Sequence, residues 1–300
     1  MTRGVRTTCQ FNSKIYDHDG PGKHLWCSDP LDNHGFDERK TGFYADSVSF
    51  SLNEAGDEYT VKSARNDDCI VNLTVKRTAP GFMAGENGTS FYGTDPKQPW
   101  GEMFHKFWIR ATVSGTMQTK KKTYNVNGRA VFIHALQGMK PHHAAARWNF
   151  VNFQTPTYSA VMMEFTTPPS YGKTTVNVGG IAKDGQLLYA GCDNTATHLA
   201  AATDPVSQWP EPKALLCKWS AKQLSPVEAE LMGDLGTRTD RVDVLAHVPT
   251  IIKNLIGGVV GTKPIIFQYV TTDEMTLKVK ENGTESSEQG RLFCEATFIS

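Results

Sequence analysis

The sequence carries no net charge: its 300 residues hold 31 Lys plus Arg against 31 Asp plus Glu. That removes the broad basic field that general nucleic-acid binding needs. Lys120, Lys121 and Lys122 form the one tight basic cluster, at what reads as a hairpin tip, where a solvated turn is the ordinary outcome. Long apolar runs are missing too, and nothing approaches the roughly 18 consecutive apolar residues of a membrane-spanning helix. No apolar leader follows Met1-Thr2-Arg3-Gly4. Cysteine is sparse: Cys9, Cys27, Cys69, Cys192, Cys217 and Cys294 lie far apart, with no C-x-x-C pair. Such a density is low for a disulfide scaffold, so free thiols in a reducing compartment are expected. The sequons at Asn72, Asn87 and Asn282 then read as plain strand or turn positions. There is no G-x-S-x-G elbow, no P-loop and no H-E-x-x-H. The stretch from Pro80 to Gly85 is a turn-rich loop and not a dinucleotide fingerprint, since no glycine lies between Gly81 and Gly85. No metal site and no cofactor are expected.

What the sequence has is β-strand pattern. Residues 43–52, 59–62, 70–76, 107–117 and 130–134 are rich in β-branched and aromatic residues, with turn residues clustered between them. The theme returns at 147–153, 158–165, 174–181, 186–190, 214–219, 227–232, 264–269, 275–280 and 291–299. Strands in series with few helices between them imply antiparallel meanders. Large antiparallel sheets hide their edges by closing into barrels. A length of 300 residues suggests about two domains. A Gly- and Pro-containing stretch at 134–144 separates the two strand series, so domains of 1–136 and 137–300 are expected. One segment breaks the pattern. Ile251, Ile252, Leu255, Ile256, Val259 and Val260 recur at helical spacing after Pro249 and Thr250, which predicts a short helix near 250–260. Such a helix is expected to pack over a barrel mouth or wall, with a lid or membrane-touching element as the other reading.

Several segments resemble a known family. They are Arg6-Thr7-Thr8-Cys9-Gln10-Phe11-Asn12, Pro80-Gly81-Phe82 and Gly88-Thr89-Ser90-Phe91-Tyr92-Gly93-Thr94-Asp95-Pro96. The most specific is His134-Ala135-Leu136-Gln137-Gly138-Met139-Lys140-Pro141-His142-His143-Ala144-Ala145-Ala146-Arg147-Trp148-Asn149-Phe150. Pro156-Thr157-Tyr158-Ser159-Ala160, Thr167-Pro168-Pro169-Ser170-Tyr171-Gly172 and the final Glu295-Ala296-Thr297-Phe298-Ile299-Ser300 extend it over essentially the whole chain. These segments resemble the fungal survival factor family, cytosolic double-lipocalin proteins linked to ceramide handling and oxidative stress. The resemblance implies an all-β fold of two tandem lipocalin-like antiparallel barrels. About six strands are read before residue 137, whereas a small barrel wants about eight, so the first barrel is expected to be incomplete at its N-terminus.

The resemblance also implies a non-enzymatic protein that binds ceramide or a related sphingolipid and transfers it between membranes, supporting survival under oxidative stress. It implies a cytoplasmic protein, with peripheral contact at endoplasmic reticulum and Golgi membranes and the nucleus as a further address. From the residues themselves, candidate pocket walls are the bulky apolar strand faces. Trp148 and Phe150 share a face, as do Met163 and Phe165, while Tyr158 and Met162 lie on another. The competing reading of each is ordinary core. His134, His142, His143 and Arg147 make the most suggestive polar cluster, as a structural element between barrels or as a head-group contact. Extended backbone would point His142 and His143 to opposite faces. Cys9, Cys69 and Cys294 are redox candidates if exposed. Two alternatives stay open: a lipocalin-like hydratase or isomerase acting on an apolar substrate, and a stress-response interaction scaffold. A large apolar cavity favours the carrier, converging polar groups favour the enzyme, and filled barrels favour the scaffold.

Overall fold

The computed structural model describes residues 8–16, 24–95, 97–139, 141–220, 227–244 and 264–300. The helix expected near 250–260 lies outside the described residues. The chain is almost entirely antiparallel sheet. Its first strands are β1 Cys9–Ile15, β2 Leu25–Leu31, β3 Gly35–Phe36, β4 Phe43–Ala45 and β5 Val48–Leu52. Next come β6 Glu58–Ser63, β7 Ile70–Arg77, β8 Thr89–Tyr92, β9 Gly101–Gln118 and β10 Thr123–Gln137. A one-turn helix, α1 Pro141–Ala144, leads to β11 Arg147–Gln154, β12 Tyr158–Thr166, β13 Thr175–Lys183, β14 Gln186–Gly191 and β15 Asn194–Thr203. Then follow β16 Pro210–Ser220, β17 Val227–Asp234, β18 Asp240–Asp243, β19 Ile265–Glu281 and β20 Thr284–Phe298.

Among the described residues ten strands precede residue 138, more than the six read from pattern. Those that escaped pattern reading are short or carry little β signal. Residues 43–52 are two strands and not one, because Ser47 adopts a left-handed φ of 61° and folds β4 back on β5. Residues 264–280 are the reverse case. β19 runs through as one strand, with an irregularity in register between Thr271 and Met275.

Two compact units emerge: residues 1–78 with 110–130, and residues 79–109 with 131–300. In the first unit, β1 and β2 form a hairpin, and β3 to β7 form a meander that continues onto the second half of β9. Its core gathers Cys27, Cys69 and Val71 with Phe11, Ile15, Leu25, Val61, Leu73 and Met117. Lys120, in the basic cluster, pairs with Asp68 at 2.8 Å on the surface.

The second unit holds a ten-stranded sheet in the order β14-β13-β12-β11-β20-β19-β17-β16-β15, with β18 on β19. The path's two ends approach each other through side chains. Asn194 at the start of β15 donates to Gly191 O and to Asn177 Oδ1, both at 2.9 Å, and Glu164 on β12 accepts from the Ala196 amide at 2.9 Å. Trp219 on β16 reaches across to donate to Val161 O on β12 at 3.1 Å. That approach needs the bare Gly179: a Cβ there would stand 3.0 Å from the indole nitrogen and 2.7 Å from Val161 O. The next residue, Gly180, does the same for the other face, where a Cβ would meet the Phe82 ring at 2.8 Å. The Gly-Gly pair thus lets both faces of β13 pack closely.

The sheet's inner face is filled. Phe153, Met162, Ile181, Leu215, Trp219, Leu231, Phe267, Tyr269 and Phe298 are all essentially buried in one cluster. β12 is also buried on its other face, where Val161 packs with Phe150, Val178, Phe82, Phe107 and Ile109. Burial on both faces explains why Ser159-Ala160-Val161-Met162-Met163 shows no apolar–polar alternation. All six cysteines are free. Of the redox candidates, Cys69 and Cys294 are buried, and burial pushes the Cys294 thiol far up, away from reactive thiolate character.

Candidate functional site

Alternation along the strands of the second unit carries polar residues to one end of the filled face. On β11, Arg147 and Asn149 precede Val151 and Phe153 on the same side. On β12, Glu164 and Thr166 follow Tyr158, Ala160 and Met162. β15 adds Ala196 and His198, and β20 adds Phe298. Together they line an open cavity of about 310 Å³ at the end of the sheet.

One hydrogen-bonded row organises this mouth. Glu164 Oε2 accepts from the Ala196 amide at 2.9 Å and from Asn177 Nδ2 at 3.1 Å, while Oε1 accepts from Asn149 Nδ2 at 3.3 Å. With its amide nitrogen spent on Glu164, Asn149 presents Oδ1 to His198 Nε2 at 2.8 Å. The row therefore fixes the tautomer: Nε2 carries the proton, and Nδ1 keeps its lone pair. Burial, with help from the nearby Arg147 charge, lowers the His198 pKa, so the ring is neutral at pH 7. Arg147 itself lies over the Phe298 ring at 5.6 Å and, among the described residues, pairs with no carboxylate. Trp209 stacks on Phe298 at 5.5 Å, and His198 tilts against the same ring at 6.3 Å. The mouth thus offers a cationic donor and a neutral acceptor above an aromatic floor.

Behind this end lies a buried ion cluster. Asp204 accepts from Ser207 Oγ at 2.6 Å and its amide at 2.8 Å, and pairs with Arg241 at 3.2 Å. Arg238 joins Asp204 at 3.5 Å to Glu211 at 2.6 Å. Burial raises the Asp204 carboxyl, but the Ser207 bonds and the Arg241 charge outweigh it, and its pKa ends below the ordinary value.

The expected apolar walls fall into two groups. Tyr158 and Met162 belong to the filled inner face. Trp148, Phe150, Met163 and Phe165 lie on the opposite face, where Trp148 stands opposite Phe165 and Phe150 opposite Met163 in register. Trp148 meets Phe165 edge to face at 5.6 Å and also lines the polar mouth. Against Phe165 sits His105 of β9, stacked at 5.7 Å, and against Phe107 at 5.9 Å. His105 is 2% exposed, and among the described residues neither of its ring nitrogens has a hydrogen-bond partner.

The four polar candidates are not gathered in one place. His142 and His143 stand on the short α1 turn, not on extended backbone, with rings 4.3 Å apart. His143 Nδ1 bonds the Tyr171 hydroxyl at 3.0 Å. His134 is exposed on β10, 6.2 Å from Phe104. Arg147 alone reaches the mouth. Sequence reading missed His198, Asn149 and Glu164. The run Leu199-Ala200-Ala201-Ala202 hid the β15 strand that carries His198. Among the described residues no group of three or more His, Cys, Asp or Glu is placed to hold a metal ion.

The ceramide-binding protein svf1 of Aspergillus fumigatus is 55% identical over 317 residues, covering 99% of this chain and 80% of that protein. The ceramide-binding protein svf1 of Schizosaccharomyces pombe is 40% identical over 298 residues, covering 98% and 78%. Among solved structures, CghA matches with a TM-score of 0.61 at 10% identity, over 96% of this chain and 74% of that one. Kievitone hydratase from Nectria haematococca matches with a TM-score of 0.57 at 10% identity, over 98% and 81%. At such identity these two speak for the fold alone. The Svf1 family model matches residues 1–300, and the chain belongs to the Svf1 family.

Proposed function

We propose that the chain binds ceramide and moves it between membranes without altering it. The observation that carries this is the naming of two relatives, 55% and 40% identical over nearly the whole chain, as ceramide-binding proteins. A buried methylene is worth about 0.8 kcal/mol, so a lipid of about thirty methylenes needs on the order of 20 kcal/mol to leave a bilayer for water. A carrier supplies apolar surroundings of similar quality and needs only near-neutrality with the bilayer, since that permits both loading and release. Much of the inner face of the second unit is taken up by its own side chains. The expected walls Trp148, Phe150, Met163 and Phe165 on the opposite face are packed among core side chains as well, so in this reading lipid entry requires them to move, while Tyr158 and Met162 act as core. The protein would work in the cytoplasm, in peripheral contact with endoplasmic reticulum and Golgi membranes, and its handling of sphingolipid would support survival under oxidative stress. The test is transfer of fluorescent ceramide from donor to acceptor vesicles. The expected result is a rate that rises in proportion to protein. A rate equal to that without protein overturns transfer.

A second reading is an enzyme acting on an apolar substrate. The row Glu164–Asn149–His198 favours it, because a base held by an orienting partner is the arrangement general-base chemistry uses. Recovery of the lipid with unchanged mass after prolonged incubation counts against it.

A further inference from the structure

We infer that the polar mouth of the second unit is the subsite that reads the amide-and-hydroxyl head of the ceramide, with the hydrocarbon chains left outside it. This rests on the ceramide-binding reading and adds to it a place and a chemistry. Ceramide's head is uncharged, with one amide carbonyl, one amide N–H and two hydroxyls. Its recognition calls for a donor for the carbonyl and an acceptor for a hydroxyl, fixed at a short separation and partly out of water. The mouth has both. Arg147 has no carboxylate partner among the described residues and is braced on Phe298 at 5.6 Å. His198 keeps a lone pair on Nδ1 because its Nε2–H donates to Asn149 Oδ1 at 2.8 Å.

The acceptor is built and not incidental. Asn149 is held by Glu164, and Glu164 is held by the amide of Ala196 and by Asn177. Asn177 and Asn194, which continue the row, are themselves buried. The same bonds tie together the two ends of a strand path that does not pair β14 with β15, and they also hold the Asn149 amide that orients the His198 ring.

Size supports the same assignment. The cavity of about 310 Å³ has room for on the order of ten water-sized groups at ~30 Å³ each. The head, counted from the amide to the two hydroxyl-bearing carbons, has about that many heavy atoms. The chains cannot follow it inward, because Phe298, Phe267 and Met162 fill the interior.

The experiment uses the full chain and a water-dispersible short-chain ceramide, with its 3-deoxy analogue as comparison. Binding is read by fluorescence titration. The wild type is expected to prefer the hydroxylated ligand by about 5- to 10-fold, the discrimination one hydrogen bond provides. His198→Ala is expected to abolish that preference, so that the variant binds the two ligands alike. Arg147→Ala is expected to weaken both ligands equally. Equal binding of the two ligands by wild type overturns the subsite and leaves the ceramide reading standing. Failure of wild type to bind either ligand overturns both. The comparison of ligands on the wild type does not depend on any variant folding. A His198→Ala protein that keeps the wild-type preference also overturns the assignment.

Discussion

His105 is a buried base whose ring nitrogens have no hydrogen-bond partner among the described residues, and its cost is set by pH. Burial pulls its pKa down from 6.5 to about 4. As pH falls below 6.5 the unfolded chain takes up a proton that the folded chain refuses until about pH 4. The stability is therefore complete above pH 6.5 and is lost across the window from 6.5 to 4, by up to about 3 kcal/mol. Urea unfolding at pH 7 and at pH 4.5 measures this, and His105→Leu is expected to flatten the difference. The lowered pKa of His198 works in the same direction. Asp204 makes the opposite kind of demand, since it is 1% exposed and must stay charged. Its lowered pKa stabilises the fold above the ordinary carboxylate range, and that contribution fades as pH falls through the folded value. Asp204→Asn leaves Arg238 and Arg241 without their shared partner. Because both arginines are partly exposed, the expected loss is about 2 kcal/mol, below the usual figure for a fully buried pair, read as a lower urea midpoint at pH 7.

At the scale of elements, the tightest constraint is β13 against β12 and β16. Gly179→Ala forces a methyl to within 2.7 Å of Val161 O and 3.0 Å of the Trp219 indole nitrogen. A backbone atom cannot give way cheaply, so a loss of about 1–3 kcal/mol is expected, with a weakened Trp219–Val161 bond visible as a shift in tryptophan emission. Element scale is also where the sequence spoke most clearly. β11, β12, β13, β16 and β17 were legible because aromatic and β-branched residues mark strands and Gly or Pro mark their ends. β3 and β8 were not, being two and four residues long. β15 was hidden by its alanines, which have no strong preference for strands and sit there because β16 pairs with them. The candidate site was less legible than the fold for the same reason. Asn149, Glu164 and His198 come from three strands, and only the register of the sheet brings them into one row. His142 and His143 drew attention by adjacency, yet they stand on the short α1 turn, where His143 bonds Tyr171.

At the scale of the whole molecule, the second unit packs much of its inner face with its own side chains and keeps an open polar mouth at one end. The chain's neutral balance of 31 cationic and 31 anionic residues suits an uncharged ligand and gives no general attraction to anionic surfaces. The most direct test of ceramide binding is native mass spectrometry of the purified chain after exposure to a mixed lipid extract, with the released lipid identified. The expected result is one ceramide per chain, selected over the more abundant glycerolipids. A folded chain that emerges free of lipid, or that carries glycerolipids in proportion to their abundance, would contradict the account.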